Sequence, residues 1–154
     1  LNNEMDDFSS KPGVPNAYGL VGNIANAIEP NKRMLSSMSP TIVENLDGEL
    51  ALVVGSPGGS TIITTTAQII MNVIDFGMNI EDAVESPRFH HQWLPDIIQF
   101  ESNGFSVETI KALSDRGHKY KYRSSIGEAN CIQINGNIIF GSGDSRKGAS
   151  ALGY

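Results

Sequence analysis

Leu50-Ala51-Leu52-Val53-Val54-Gly55-Ser56-Pro57-Gly58-Gly59-Ser60 passes from an apolar run, through a proline and two glycines, into the Thr- and Ile-rich segment 61–76. The apolar run has the length and β-branched content of a buried strand. Segment 61–76 carries Ile62, Ile63, Ile69, Ile70, Val73 and Ile74 on a broad face and is too long for a strand. It predicts a helix, with Gly77 just past its end. Strand, turn and helix therefore follow in order. Adjacent glycines let a backbone approach a ligand closely. Amides at a helix N-terminus attract a phosphate or a developing oxyanion. The same residues fit a plain strand-to-helix turn equally well. The turn is not a P-loop, since no Gly-Lys-Ser/Thr follows, and its glycine spacing is not that of a dinucleotide fingerprint.

Outward from this stretch the elements alternate. Segments 41–46 and 49–54 flank Asp47-Gly48, which predicts a hairpin with a type I′ turn. Segments 129–134 and 137–140 flank Asn135-Gly136 and predict a second. Asn79 caps a short helix through Glu85 that Pro87 stops, and Ser106 caps another through Arg116, with Gly117 at its end. Segments 97–101 and 118–123 read as strands. The first forty residues, broken by Pro12, Gly13, Pro15, Gly19, Gly22 and Pro30, show no period and read as loop. A loop of that length in a compact domain is functional or wrapped over a partner. Hairpins with clustered helices indicate α+β or a layered αββα sandwich, not a doubly wound parallel sheet.

The 154 residues amount to one domain, with 40% hydrophobic and 18% charged residues, which excludes a disordered class. Eleven Lys and Arg against 17 Asp and Glu give a net charge of −6, which argues against nucleic acid as a partner. The longest apolar run, Leu50 to Val54, is far too short to span a bilayer. One cysteine rules out an intrachain disulfide framework. The chain begins at Leu1, which suggests a processed or cut chain.

Further residues carry possible chemistry. Glu4, Asp6 and Asp7 suit an ammonium group or a cation, or are a solvated charged loop. The hydroxyls of Ser36 and Ser37 can donate to both oxygens of a carboxylate, or face solvent. His90-His91 has no third ligand at a metal-binding spacing, and neighbours on a strand point to opposite faces. They read as structural, one of them packed against Trp93, and no metal or cofactor is expected. His118 opens a strand and reads as exposed. Cys131 alternates with Ile132 and Ile134 and reads as a small packed residue. Asp144-Ser145-Arg146 fits an ion pair or a tail loop.

Several long stretches occur in a telling order: Leu1-Asn2-Asn3-Glu4-Met5-Asp6-Asp7-Phe8, Lys11-Pro12-Gly13-Val14-Pro15-Asn16, Asn31 through Thr41, Gly55 through Ser60, Pro87 through Pro95, Gly143-Asp144-Ser145-Arg146 and Gly153-Tyr154. Together they resemble the small subunit of the γ-glutamyltranspeptidases, members of the N-terminal-nucleophile hydrolase superfamily, over residues 1–154. The resemblance implies a partial four-layer αββα sandwich lacking its first strands, with residues 1–40 as a substrate-binding loop region and 41–154 as the sheet-and-helix core. It implies a precursor that cleaves itself into two subunits. The new N-terminal threonine then takes the γ-glutamyl group of glutathione or a related amide as an acyl-enzyme, and passes it to water or to an amino acid or peptide acceptor. Glu4 and Asp7 match the positions that bind the substrate α-ammonium, Ser36 and Ser37 those that hold its α-carboxylate, and Gly58 and Gly59 the oxyanion hole.

The family's nucleophilic threonine lies upstream of the motif at Leu1, and its large subunit brings an arginine for the substrate carboxylate. The isolated chain is therefore expected to be inactive, and, with sheet edges and apolar faces uncovered, to self-associate or to have a disordered N-terminal loop. The alternatives are a related acylase, a poly-γ-glutamate hydrolase or a catalytically dead glutamate-binding module. The resemblance also implies a periplasmic or secreted protein.

Overall fold

The structure, a computed structural model, describes residues 4–153; Leu1 and Tyr154 lie outside the described residues. Among the described residues seven strands and three α-helices follow in order: β1 (Thr41–Glu44), β2 (Leu50–Gly55), α1 (Thr61–Ile74), α2 (Ile80–Glu85), β3 (Phe89–His90), β4 (Ile98–Glu101), α3 (Val107–Asp115), β5 (Tyr120–Arg123), β6 (Asn130–Asn135) and β7 (Ile138–Gly143). They build an antiparallel sheet, β1-β2-β6-β7, and a mixed sheet, β3-β4-β5, in which β4 and β5 are parallel and joined through α3. The α+β class holds, and β3 is a strand that sequence periodicity is too short to reveal.

Alternation sets the layers. On the four-stranded sheet Leu52, Val54 and Cys131 point to one face and meet Ile69 of α1 and Ile80, Ala83 and Val84 of α2. A smaller core joins Ile98 and Phe100 of β4 to Ile110 of α3, with Phe105 and Leu113 against it. Both short helices start as expected: the Asn79 side chain accepts from the Asp82 amide, and the Ser106 hydroxyl from the Thr109 amide. α1 ends at Ile74, with Asp75 as its cap and Gly77 at φ +66°.

Both hairpins form, but their turns differ from expectation. Between β1 and β2 only Gly48 has positive φ, at +80°. A type I′ turn needs two such residues, so the connection is a longer one. The Asn45 side chain accepts the Asp47 and Glu49 amides, and the strand register shifts at Val43/Glu44. In the second hairpin Asn135 pairs with Ile138, so the turn residues are Gly136-Asn137, one position later than expected. Gly136 alone has positive φ, as a type II′ turn requires.

Residues 4–40 contain one-turn 3₁₀ pieces at Glu4–Asp7 and Ile24–Asn26 and two isolated bridges. Among the described residues no helix is long and apolar enough to cross a membrane.

Candidate functional site

The Gly58-Gly59 turn lies where β2 hands over to α1. Gly58 has φ +141° and Gly59 φ +57°, a pair that side-chain-bearing residues rarely adopt. The Gly58 carbonyl accepts both the Thr61 amide and the Thr61 hydroxyl, and the Gly59 carbonyl accepts the Ile62 amide. The carbonyls are thus turned into the helix. Among the described residues neither glycine amide donates to a protein acceptor. Two adjacent amides at the positive end of a 14-residue helix are therefore available to a negative oxygen.

The turn is buttressed from behind. Ser56 Oγ accepts the Glu128 amide at 3.0 Å and donates to the Pro57 carbonyl at 2.7 Å. A Cβ on Gly127 would come within 2.5 Å of Thr65 Oγ1, so only glycine lets this loop close on α1. From the front, the Tyr18 ring lies against Gly59, where a Cβ would come within 2.7 Å of it.

Gln92 ties three segments to this turn. Its Nε2 donates to the carbonyls of Tyr18 and Leu94, which fixes the amide so that Oε1 meets Ser60 Oγ at 2.7 Å and His90 Nε2 at 2.9 Å. His90 Nε2 must then carry a proton, leaving Nδ1 to accept from the Thr64 hydroxyl at 2.8 Å. His90 is buried, and burial lowers its pKa, so the neutral ring is favoured. His91 points the other way. Its Nδ1 accepts the Trp93 amide and its Nε2 meets Asp96, while the Trp93 ring is exposed rather than packed on either histidine. His118 is exposed and Cys131 buried, with burial pushing the thiol up to about 11.

A cavity of about 490 Å³ brings together Asp7, Ser36, Ser37, Gly59 and Ser60. Glu4 and Gly58 do not line it. Glu4 sits one 3₁₀ turn before Asp7, the spacing that stacks two side chains on one side. Asn26, almost fully buried, holds this cavity's walls: its Nδ2 donates to the Asp7 carbonyl at 2.7 Å and its Oδ1 accepts the Leu35 amide at 3.0 Å. One side chain thus links the carboxylate segment to the hydroxyl segment. Its neighbours Asn23 and Asn31 look identical to it in sequence, so nothing local distinguishes it. Ser36 Oγ accepts the Met38 amide, which leaves its proton for a ligand.

Asp144-Ser145-Arg146 is a buried ion pair rather than a tail loop. Asp144 accepts from Arg88 at 2.7 Å and from the Ala129 amide at 2.9 Å. Arg146 clasps both oxygens of Glu101 at 2.7 Å and reaches the carbonyls of Val84, Glu85 and Ser86. Burial pushes the Asp144 carboxyl up, but the Ala129 amide, the Arg88 guanidinium and the Arg146 amide hold it below the usual carboxylate range. Glu101 is likewise raised by burial and lowered further by Arg146 and the amides of Arg88 and Ile126. Among the described residues no three His, Cys, Asp or Glu side chains converge as a metal site would need.

Comparison with known proteins gives a consistent answer. The family model of gamma-glutamyltranspeptidase matches residues 1–154. The chain is 54% identical over 147 residues to the glutathione hydrolase proenzyme of Escherichia coli K12, covering 95% of this chain and 25% of that protein. It superposes on a Helicobacter pylori gamma-glutamyltranspeptidase T380A mutant with a TM-score of 0.88 at 54% identity, covering 96% of this chain and 81% of the other. The fold is shared, at 24% identity and a TM-score of 0.70, by the transpeptidase CapD of Bacillus anthracis, covering 100% of this chain and 90% of the other. The chain spans about a quarter of the length of the glutathione hydrolase proenzymes of Escherichia coli K12 and Pseudomonas sp. A14.

Proposed function

The chain belongs to the gamma-glutamyltranspeptidase family, and on that premise we propose that it supplies the acyl-binding wall and oxyanion hole of a glutathione hydrolase and γ-glutamyltransferase. The observation that carries this reading is the meeting of two chemistries at one turn. The unengaged Gly58 and Gly59 amides sit side by side at the α1 N-terminus, and Gly59 lines a cavity that also holds Asp7, Ser36 and Ser37.

In this reading Asp7, with Glu4 behind it, takes the α-ammonium of the γ-glutamyl group, and Ser36 and Ser37 donate to its α-carboxylate. The γ-carbonyl then points at the glycine turn. A threonine outside these 154 residues attacks it, and the negative charge forming on the carbonyl oxygen falls on the two amides. Collapse breaks the amide C–N bond, the amine leaves with a proton, and an ester remains. Water or an amino acid or peptide acceptor then attacks the ester through the same oxyanion. The reading includes a large subunit from the same precursor, and a periplasmic or secreted location for the whole protein.

The full-length protein should hydrolyse a γ-glutamyl anilide at least 10²-fold faster, in kcat/KM, than the glutaryl anilide, which lacks the α-amino group. Asp7→Asn should shrink that ratio by raising KM for the γ-glutamyl compound. Faster cleavage of the glutaryl compound would identify an acylase instead. Binding of glutamate by calorimetry with no turnover of either would identify a binding module.

A further inference from the structure

A second cavity, of about 810 Å³, opens on the other side of the glycine turn. Tyr18, Gly59, Ser60 and Gln92 line both cavities, so they meet at the turn itself. Their chemistry differs. The first carries Asp7, the two serine hydroxyls and a single lysine, Lys11. The second is walled by Lys121, Arg123 and Lys147, with Glu128 as its one carboxylate among the described residues. That is a concentration of positive charge in a chain whose net charge is −6.

The fold explains why the cations gather there. β5 is the edge strand of the mixed sheet and reads Tyr120-Lys121-Tyr122-Arg123. The strand period of two places Lys121 and Arg123 on one face. Tyr120 instead packs edge-on against Phe100 and Tyr122. Arg123 is braced by one bond from Nη1 to Gln99 Oε1 at 3.2 Å, which leaves most of its donors unused. Lys121 has no side-chain partner among the described residues and pairs by its backbone with Gln99.

Resting on the reading above, in which the γ-glutamyl head group fills the first cavity and its carbonyl meets the glycine amides, the rest of the amide must continue past the turn. The second cavity is where it goes. We propose that this cavity takes the amine portion of the substrate, and that Lys121 and Arg123 recognise a carboxylate on it. Two molecules present that group at this place: the peptide leaving group of the donor, and a peptide acceptor in the transfer step. A cleft lined by charge of one sign raises the local concentration of the opposite charge, and does so less as salt rises.

The test uses the full-length protein and a K121A/R123A double variant. One arm compares donors, γ-glutamyl-3-carboxy-4-nitroanilide against γ-glutamyl-4-nitroanilide. The other compares acceptors, glycylglycine against its C-terminal amide. The readout is the ratio of kcat/KM for the carboxylated over the uncharged member of each pair. The double variant should lower that ratio about fivefold, mostly through KM, and raised ionic strength should bring the wild-type ratio toward the variant's. A fall in the donor arm assigns the site to the leaving group, a fall in the acceptor arm to the acceptor, and a fall in both to each in turn. If the anilides are turned over and neither ratio moves, the inference fails while the reading of the head-group site stands. If neither anilide is turned over by the wild type, the reading fails and the inference with it.

Discussion

Gly58 and Gly59 are where a single carbon atom decides the outcome. Adding a Cβ to Gly59 places it at φ +57° and within 2.7 Å of the Tyr18 ring; on Gly58 it meets Thr61 Oγ1 at 2.5 Å. Backbone strain of this kind costs about 1–3 kcal/mol, and under the function proposed above a re-aimed amide no longer meets the developing oxyanion. Gly59→Ala should therefore cut kcat/KM of the full-length protein about 10²-fold, with a smaller loss of thermal stability. Turnover within twofold of wild type would show that these amides do not meet the reacting oxygen. The glycine pair was legible in the sequence because two adjacent glycines between a strand and a helix need a backbone reason. Asn26 was not, since its function is to join residues 7 and 35, which only the folded loop brings together. Asn26→Ala strands a partly buried carbonyl and amide, a cost of about 1–3 kcal/mol. Its signature should be a raised KM for γ-glutamyl substrates with kcat nearly kept. His90 adds a pH effect. Its folded pKa lies below the ~6.5 of an unfolded histidine, so the unfolded chain binds the proton first as pH falls. The stability it lends is complete above ~6.5 and declines below it. Melting temperature should thus drop between about pH 7 and pH 5 more steeply in the wild type than in His90→Gln. Parallel curves would remove His90 as the titrating group.

At the scale of elements, four charged side chains hold together pieces distant in sequence. Arg88 follows α2, Glu101 ends β4, and Asp144 and Arg146 follow β7. Arg88 also donates to the Ile126 carbonyl, Glu101 accepts the Ile126 amide, and Asp144 accepts the Ala129 amide. The network therefore fixes the 126–129 segment that backs the glycine turn. Breaking a buried pair from one side leaves a stranded charge and costs about 3–5 kcal/mol, whereas replacing both partners with apolar residues is far milder. Asp144→Ala should destabilise strongly, and the double variant Arg88→Met/Asp144→Leu distinctly less than either single change adds up to. Additive losses in chemical denaturation would mean the two side chains act independently. Asp144 and Arg146 suggested an ion pair in sequence, but Arg88, 56 residues away, gave no sign of being their partner. The hairpins show the same boundary. Their existence was legible from turn residues between apolar runs, but turn type was not. It depends on φ at each position and on a register shift at Val43/Glu44, which composition does not encode.

Over the whole molecule, one face of the four-stranded sheet is packed by α1 and α2, while on the other, among the described residues, Ser150 and Ala151 lie against Gly143 and Gly141 and the rest is open. Pairing aligns Ile42, Val53 and Ile132 across three strands, and Ile134 with Ile139 beside them. Ile42 and Ile139 are each 69% exposed and Ile132 41%. These residues lie on the face opposite Leu52, Val54 and Cys131, so they form one apolar surface rather than scattered side chains. β1 and β7 are the edges of the same sheet, and their free backbone groups offer a second route to association. The alternation that made the buried face readable in the sequence makes the open face readable too, since β2 is apolar along its whole length and β6 sets Ile132 and Ile134 on that face. A strand so composed is expected to be covered on both sides. Prepared by itself at about 100 µM, the chain should thus scatter light as a dimer or larger species, with a mass that falls on dilution. Ile42→Lys with Ile139→Lys puts two charges on the open face without touching the packed one. It should return the chain to a monomer while leaving its far-ultraviolet circular dichroism unchanged. A wild-type chain that remains monomeric at that concentration would show that the open face does not drive association by itself.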